Sequence, residues 1–319
     1  MAIISKDISL AKDFLNKGQL IAIPTETVYG LAGNALDEKS VLSIFEVKNR
    51  PSFDPLIVHT DSMEKIAKLV DHIPAVAFAL AKEFWPGPLT ILLPKKPSIP
   101  DLVTSGLDTV AVRIPNHPLT LELLSQLDFP LAAPSANPFG YISPTSAQHV
   151  DQQLGQKIPY ILDGGECGVG IESTIIGFPD DVPTIYRLGG LAIEAIEKVA
   201  GKVALMPHSS SNPQAPGMLK SHYAPKKPFF LSARENFPTD TDRTYGYLLF
   251  NQYINGIDKK NQRILSPTGD IKEAAHHLFS YLRDLDAQPF TQIWAEYVPD
   301  IDLGRAINDR LKRAAAVEV

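Results

Sequence analysis

Short apolar runs with the period of strands alternate along this chain with stretches that carry helical spacing. The runs fall at Leu20–Ile23, Leu56–Val58, Leu89–Pro94, Thr109–Ile114, Pro130–Ala133, Tyr160–Leu162, Ser173–Gly177 and Thr184–Arg187. Helical patterns lie between many of them, at Ile8–Asn16, Glu38–Lys48, Ser62–Val70, Ala75–Phe84, Leu119–Leu127 and Leu191–Ala200. Such interleaving predicts an α/β fold, a sheet with helices packed on it. The pattern does not order the strands.

Near Met206 the periodicity stops. Residues 207–228, "PHSSSNPQAPGMLKSHYAPKKP", are rich in Pro, Ser, Asn and Lys. At roughly twenty residues this stretch is too long for an ordinary connection and reads as a linker. Beyond it, strands at Phe229–Leu231, Tyr245–Phe250 and Ile293–Val298 and helices at Ile271–Leu285 and Leu303–Ala315 predict a second, smaller α/β unit. The expected division is therefore 1–205, a linker over 206–228, and 229–319.

Composition agrees with this organisation. The chain has 319 residues, 44% hydrophobic and 21% charged, which suits a soluble protein of two domains. Cys167 is its only cysteine, so an intramolecular disulfide and a cysteine-rich metal site are both excluded. It is expected to be a small buried residue or part of a glycine loop. The N-terminus has no long apolar core of a signal peptide, and no uninterrupted apolar run is long enough to span a bilayer. A cytoplasmic protein is expected. The formal net charge is −6, and through Leu205 there are 16 Lys and Arg against 23 Asp and Glu. That balance argues against a strong non-specific grip on nucleic acid and makes any clustered cations more informative.

No familiar nucleophile apparatus is present: the chain has no G-x-S-x-G, no H-E-x-x-H, and no cysteine with a nearby histidine. His276 and His277 are adjacent on a predicted helix and cannot share one face. Three stretches instead concentrate hydroxyls and amides after strands. "IPTETVYGLAG", residues 23–33, carries Thr25, Glu26, Thr27 and Tyr29; "LAAPSANPFGYISPTSAQHV", residues 131–150, carries Ser135, Asn137, Ser143 and Thr145; "GGECGVGIEST", residues 164–174, carries Ser173 and Thr174. Each also reads as a plain turn. Four cations, Lys48, Arg50, Arg113 and Arg187, stand at element ends. Pro51 disfavours helical geometry at Arg50, so the helix break can turn Lys48 and Arg50 towards one space. Hydroxyls, amides and scattered cations suit chemistry done by positioning and charge neutralisation, as in phosphoryl or nucleotidyl transfer. The attacking group would come from a substrate, and a divalent metal would ride on substrate phosphates.

In order, "PTETVYGLAG", "KNRPSFDPLIVH", "WPGPLT", "VAVRIPNHP", "APSAN", "IEST" and "YRLGG" resemble the motifs of YrdC-type threonylcarbamoyl-AMP synthases. "APGMLKSHYAP" and "GRAINDRLKRAA" resemble the longer, two-domain form. The resemblance implies a large YrdC-like domain with a twisted open mixed sheet and packed helices, followed by a smaller Rossmann-like α/β domain. It implies that ATP, L-threonine and bicarbonate or CO2 give L-threonylcarbamoyl-adenylate and pyrophosphate, with Mg2+. The product is handed to a tRNA threonylcarbamoyl-transfer machinery; tRNA itself makes at most a weak contact, and no membrane is involved. By position, Thr27, His59, Arg113 and Ser173 match residues that hold threonine. Arg50, Thr109, Ser135, Ser143 and Arg187 match ATP contacts, and Asn137 belongs to the same polar pocket. Lys48 and Arg50 are the cations expected to act on phosphate charge, and Tyr223 matches a residue that reaches back over the site, which makes the linker a lid. Asp54 stands where members often carry Asn; an acid there repels phosphate unless it meets the metal or an arginine.

Two other readings stay open from sequence. One is an α/β RNA-binding protein whose cations grip phosphates without chemistry. The other is an enzyme that adenylates using carbamoyl phosphate.

Overall fold

Strand alternation sorts the side chains of the larger sheet onto two faces, and the two faces are covered differently. In the computed structural model, which describes residues 1–206, 213–218, 222–238 and 244–316, eleven strands form one open mixed sheet. Across the sheet they run Ile3–Ser5, Tyr160–Leu162, Ile21–Ile23, Gly30–Asn34, Leu131–Ala132, Ile57–His59, Thr109–Arg113, Leu89–Pro94, Thr174–Gly177, Thr184–Arg187 and Ala204–Leu205. Pairing occurs in both senses: Ile57–His59 is parallel to Thr109–Arg113, whereas Leu89–Pro94 is antiparallel to it.

One face is buried along its length. Ala22, Leu31, Val58, Ile91, Val110, Val112 and Ile176 pack under the helices Glu38–Lys48, Ala75–Phe84 and Ala147–Leu154. On the opposite face only half has helical cover, where Ile21, Ile23, Tyr160 and Leu162 meet the helices Ile8–Asn16 and Pro118–Ser125. The other half carries Ile57, Leu92, Ala111, Ile175 and Tyr186. Among the described residues these are covered by Ala215 and Met218 of the connecting segment rather than by a helix. This half-face is where a site can form.

Local signals place the elements that reach it. Asp7 caps the first helix by accepting from Leu10 N at 3.0 Å, a contact typically contributing about 1 kcal/mol. The helix Glu38–Lys48 starts at the Asp37 cap and ends at Asn49, whose left-handed φ of 52° turns the chain before Arg50. Two differences from the sequence pattern have clear causes. Gly30–Asn34 is a central strand, although its glycines suggest a loop. Small residues are required there, since a Cβ on Gly33 would lie 2.6 Å from Leu20 Cδ2. Ala147–Leu154 is a helix with few apolar positions, started by Ser146 accepting from His149 N.

The second sheet has four parallel strands in the order Phe229–Leu231, Gln292–Ala295, Tyr245–Leu249 and Gln262–Ile264, with the helices Ile271–Ala287 and Gly304–Ala314. It is a small Rossmann-like α/β unit. Parts of the predicted linker, residues 207–212 and 219–221, and the end of the predicted second domain, residues 317–319, lie outside the described residues. No helix among the described residues is long and apolar enough to cross a membrane.

The glycine-rich loop of residues 164–170 touches the second unit directly. His276 Nδ1 donates to Cys167 O at 3.0 Å, and Cys167 is buried. At Gly170, with φ of +81°, a Cβ would fall 2.4 Å from the backbone O of His276. Gly170→Ala therefore combines backbone strain with a backbone clash and should destabilise the chain by about 2 kcal/mol or more in urea unfolding. A change below about 0.5 kcal/mol, the range of ordinary surface substitutions, would contradict this contact.

Candidate active site

Four strand ends and two loops converge on the half-face that lacks a helix. His59 and Arg113 end neighbouring parallel strands in register. Thr90 lies near the start of the adjacent antiparallel strand, and its Oγ1 is 2.8 Å from Ser173 Oγ, just before the strand Thr174–Gly177. Arg187 closes the strand Thr184–Arg187 and donates from Nε and Nη2 to Ser173 O and Ser173 Oγ, both at 3.0 Å. Thr27 comes from the loop joining Ile21–Ile23 to Gly30–Asn34. Thr27, Arg50, His59, Arg113, Ser135, Glu172, Ser173, Arg187, His222 and Tyr223 line a cavity holding about 50 Å³ of free space.

Buried charge dominates this region. Arg113 Nη2 donates to Glu26 Oε1 at 2.6 Å and to Thr27 Oγ1 at 3.0 Å. Arg50 pairs with Asp54 at 3.0 Å and also donates to the carbonyls of Asp54 and Pro55. Glu172 Oε2 accepts from Arg310 Nε at 3.1 Å, while its Oε1 accepts from Ser143 Oγ at 2.5 Å. Lys48 and Arg187 differ: among the described residues they bond only neutral oxygens. Lys48 Nζ donates to the carbonyls of Ser135 and Asn137, each at 2.5 Å. Arg187 holds Ser173 and, through Nη1, Pro216 O at 3.3 Å. Burial pushes the lysine well below its ordinary pKa and the arginine down to about 10. Arg187 lines the cavity with no ion pair of its own among the described residues, and a buried cation in that state favours an anion beside it.

His59 has a different character. Burial, then the charge of Arg113, lowers its pKa to about 3, so the imidazole is neutral at physiological pH. Its Nδ1 has no hydrogen-bond partner among the described residues. It is a buried polar atom left available on the cavity wall.

The connecting segment closes the cavity. Gly217, with φ of +74°, donates from its backbone N to Asp54 Oδ1 at 3.4 Å, and a Cβ there would lie 3.1 Å from Arg187 Nη1. Tyr223 is itself left-handed, with φ of 66°. Its ring has the Arg310 and Arg313 guanidinium carbons 5.4 and 4.8 Å from its centroid and stacks on Phe279 at 5.5 Å. A non-glycine residue keeps such a backbone only where its surroundings hold it.

Of the residues expected from sequence, the structure brings Thr27, Arg50, His59, Arg113, Ser135, Ser173, Arg187 and Tyr223 to one cavity. Lys48, Asp54, Thr109, Asn137 and Ser143 do not line it. Lys48 faces the carbonyls of the 135–137 loop, so it does not share one open space with Arg50. Asp54 meets an arginine, which accounts for an acid beside the cations. Asn137 Nδ2 donates to Pro138 O and Tyr141 O, and Ser143 turns to Glu172. Thr109 shares the face of Arg113 but lies four residues away, about 13 Å along the strand. It lines a separate pocket of about 270 Å³ with Leu92, Tyr186 and Gln214. The segment divides the face, with Gln214 on the Thr109 side and Pro216 and Gly217 on the other. Sequence reasoning assigned no role to Glu172 or Arg310, although both sit inside quoted motifs.

A half-covered mixed sheet with buried arginines and a neutral histidine around one cavity is the frame of an α/β enzyme. Residues 13–189 match the Sua5/YciO/YrdC family model, described as telomere recombination. Residues 191–316 match the model described as threonylcarbamoyl-AMP synthase, C-terminal domain. A threonylcarbamoyl-AMP synthase of Pyrococcus abyssi is 42% identical, over 98% of this chain and 95% of that protein. One from Bacillus subtilis is 38% identical, over 98% and 94%. The crystal structure of P. abyssi Sua5 complexed with L-threonine superposes with a TM-score of 0.90 at 40% identity, covering 98% of each chain. The chain belongs to the threonylcarbamoyl-AMP synthase family, nucleotidyltransferases whose adenylate product serves tRNA modification.

The neutral state of His59 has a consequence for stability. Unfolded, a histidine takes up its proton near pH 6.5; folded, His59 does so only near 3. Between these values the unfolded chain binds more protons, so stability falls as pH drops below about 6.5. The loss is about 1.4 kcal/mol per pH unit for one such group. Urea unfolding at pH 7 and pH 5 should show that part of the decline disappear in His59→Gln. An identical pH slope in both proteins would contradict the buried neutral state.

Proposed function

We propose that this cavity is where the chain forms L-threonylcarbamoyl-adenylate and pyrophosphate from ATP, L-threonine and bicarbonate or CO2. The observation that carries the assignment is Arg187, a buried cation that lines the cavity with Arg50 and hydrogen-bonds only neutral oxygens among the described residues. The relative from P. abyssi was crystallised with L-threonine; here Thr27, His59, Arg113 and Ser173 form the corner that would receive that amino acid. Arg113, already paired with Glu26, would orient its carboxylate, and neutral His59 would offer a hydrogen bond without adding charge. The threonine amine takes up the carbon to give a carbamate, and a carbamate oxygen attacks the α-phosphorus as pyrophosphate leaves. The protein supplies position and charge stabilisation, not a nucleophile.

ATP would lie along the wall of Arg50, Ser135 and Arg187. Of the remaining expected contacts, Asn137 and Lys48 shape the loop that carries Ser135, and Asp54 sets Arg50. Mg2+ belongs to this reading as part of the substrate MgATP. Among the described residues no group of three or more His, Cys, Asp or Glu could hold a metal. The nearby carboxylates of Glu26, Asp54 and Glu172 each face an arginine. In this reading the substrate's phosphate oxygens supply its main ligands. The product would pass to a tRNA threonylcarbamoyl-transfer machinery. We place the functional boundary at residue 205, with 206–228 as a linker, because the two sheets fall on either side of that segment.

About 50 Å³ is too small for a triphosphate, so in this reading Pro216 and Gly217, which line the cavity, withdraw when ATP binds. Limited proteolysis across residues 207–228 should therefore change between the free chain and the chain with ATP and threonine; equal cleavage in both states would refute a moving lid. Pyrophosphate release should require both threonine and bicarbonate, and Arg50→Ala should lower it by about one to three powers of ten. Near-wild-type release from that variant would refute the phosphate assignment.

A further inference from the structure

Arg310 heads the largest fully buried side chains among the described residues, and it comes from the second unit, in the helix Gly304–Ala314. Arginine is almost never buried completely unless its charge is matched. Here Nε meets Glu172 Oε2 at 3.1 Å, Nη1 donates to Leu188 O at 2.5 Å, and Asp309 Oδ2 lies 3.1 Å from Nη1. Nη2 has no hydrogen-bond partner among the described residues. The same guanidinium faces the ring of Tyr223, whose strained backbone needs support.

Glu172 lines the cavity, and its two oxygens point to the two units. Oε2 takes Arg310 from the smaller one, and Oε1 takes Ser143 from the larger. The smaller unit grips that serine's loop a second time, since Arg283 donates from Nε to Ser143 O at 3.1 Å and from Nη2 to Ile142 O at 2.5 Å. Removing Arg310 would leave a carboxylate uncompensated on the wall that a triphosphate must approach. It would also release one side of Tyr223.

We propose that Arg310 is a positioning residue of the nucleotide site, acting by neutralising Glu172 and supporting Tyr223, so that the second unit sets how well the first accepts a triphosphate. This rests on the adenylation reading above. It gives the smaller unit a chemical role at the site: it supplies the counter-charge that makes one wall acceptable to an anion.

The test is calorimetric titration of the full chain with a non-hydrolysable ATP analogue. Arg310→Met should weaken binding by about tenfold or more, as expected when a buried charge loses its partner. In a Glu172→Gln background the same substitution should cost no more than about two- to threefold, because the charge it compensates is gone. Arg310→Lys should fall between wild type and Arg310→Met. Arg305→Ala, which removes an exposed pair between the same helix and Glu194, should bind like wild type. Arg310→Met binding within about twofold of wild type would overturn the proposal, and so would an equal loss in both backgrounds. If Arg310→Met does not fold, the double variant decides: one that binds about tenfold more weakly than Glu172→Gln alone overturns it. Wild-type chain that binds the analogue but releases no pyrophosphate with threonine and bicarbonate would refute the adenylation reading and leave this coupling standing.

Discussion

Among the described residues the two α/β units of this chain share one buried ion pair, Glu172 with Arg310, which ties the second unit to the wall of the cavity. Glu172 ties the loop before Thr174–Gly177 to Ser143, Ser173 beside it carries Arg187, and Arg310 faces Tyr223 of the connecting segment. Breaking one member of a buried pair strands a charge and typically costs about 3–5 kcal/mol, whereas the intact pair adds little net stability. Such a pair is therefore better understood as fixing a geometry than as holding the chain together. The stability comes from the apolar faces, which bury the sheet under helices on one side and half of the other.

The uncovered half-face explains why chemistry is located there. Strands that end side by side deliver His59, Arg113, Ser173 and Arg187 to one place, each on a backbone fixed by its neighbours. Cations that would be solvated on a surface are instead confined, Arg50 and Arg113 paired with carboxylates and Arg187 hydrogen-bonded to carbonyls and a hydroxyl. Confinement lowers the local dielectric response and strengthens their attraction for phosphate. Ala215 and Met218 fill the apolar middle of the half-face, and Pro216 and Gly217 close its polar end.

Much of this was legible in the chain because it is local. Strand runs such as Leu89–Pro94, helices with caps, and cations at element ends all leave short-range signals. Arg50, Arg113 and Arg187 stood out because cations are few in the first 205 residues. Two kinds of feature were not legible. Gly30–Asn34 reads as a loop, since only the crowding by Leu20 and Ala133 explains why a central strand should contain glycines. Charge pairing was hidden as well: Arg310 and Glu172 are separated by 138 positions, and Lys48 reaches a carbonyl 87 positions away. Cation identity could be read from sequence, but the partner that decides whether a cation is free for a ligand could not. Lys48, expected on the phosphate, bonds the carbonyls of Ser135 and Asn137, contacts with no short-range signal.

The central claim is that this cavity builds a threonine-derived mixed anhydride with AMP. Mass spectrometry of a reaction containing the purified full chain, MgATP, L-threonine and bicarbonate tests it most directly. The account predicts a species with the mass of threonylcarbamoyl-adenylate, which shifts by one mass unit with 13C-bicarbonate and is absent when threonine is omitted. ATP consumption with no such species, or a product that forms equally well without threonine, would contradict it.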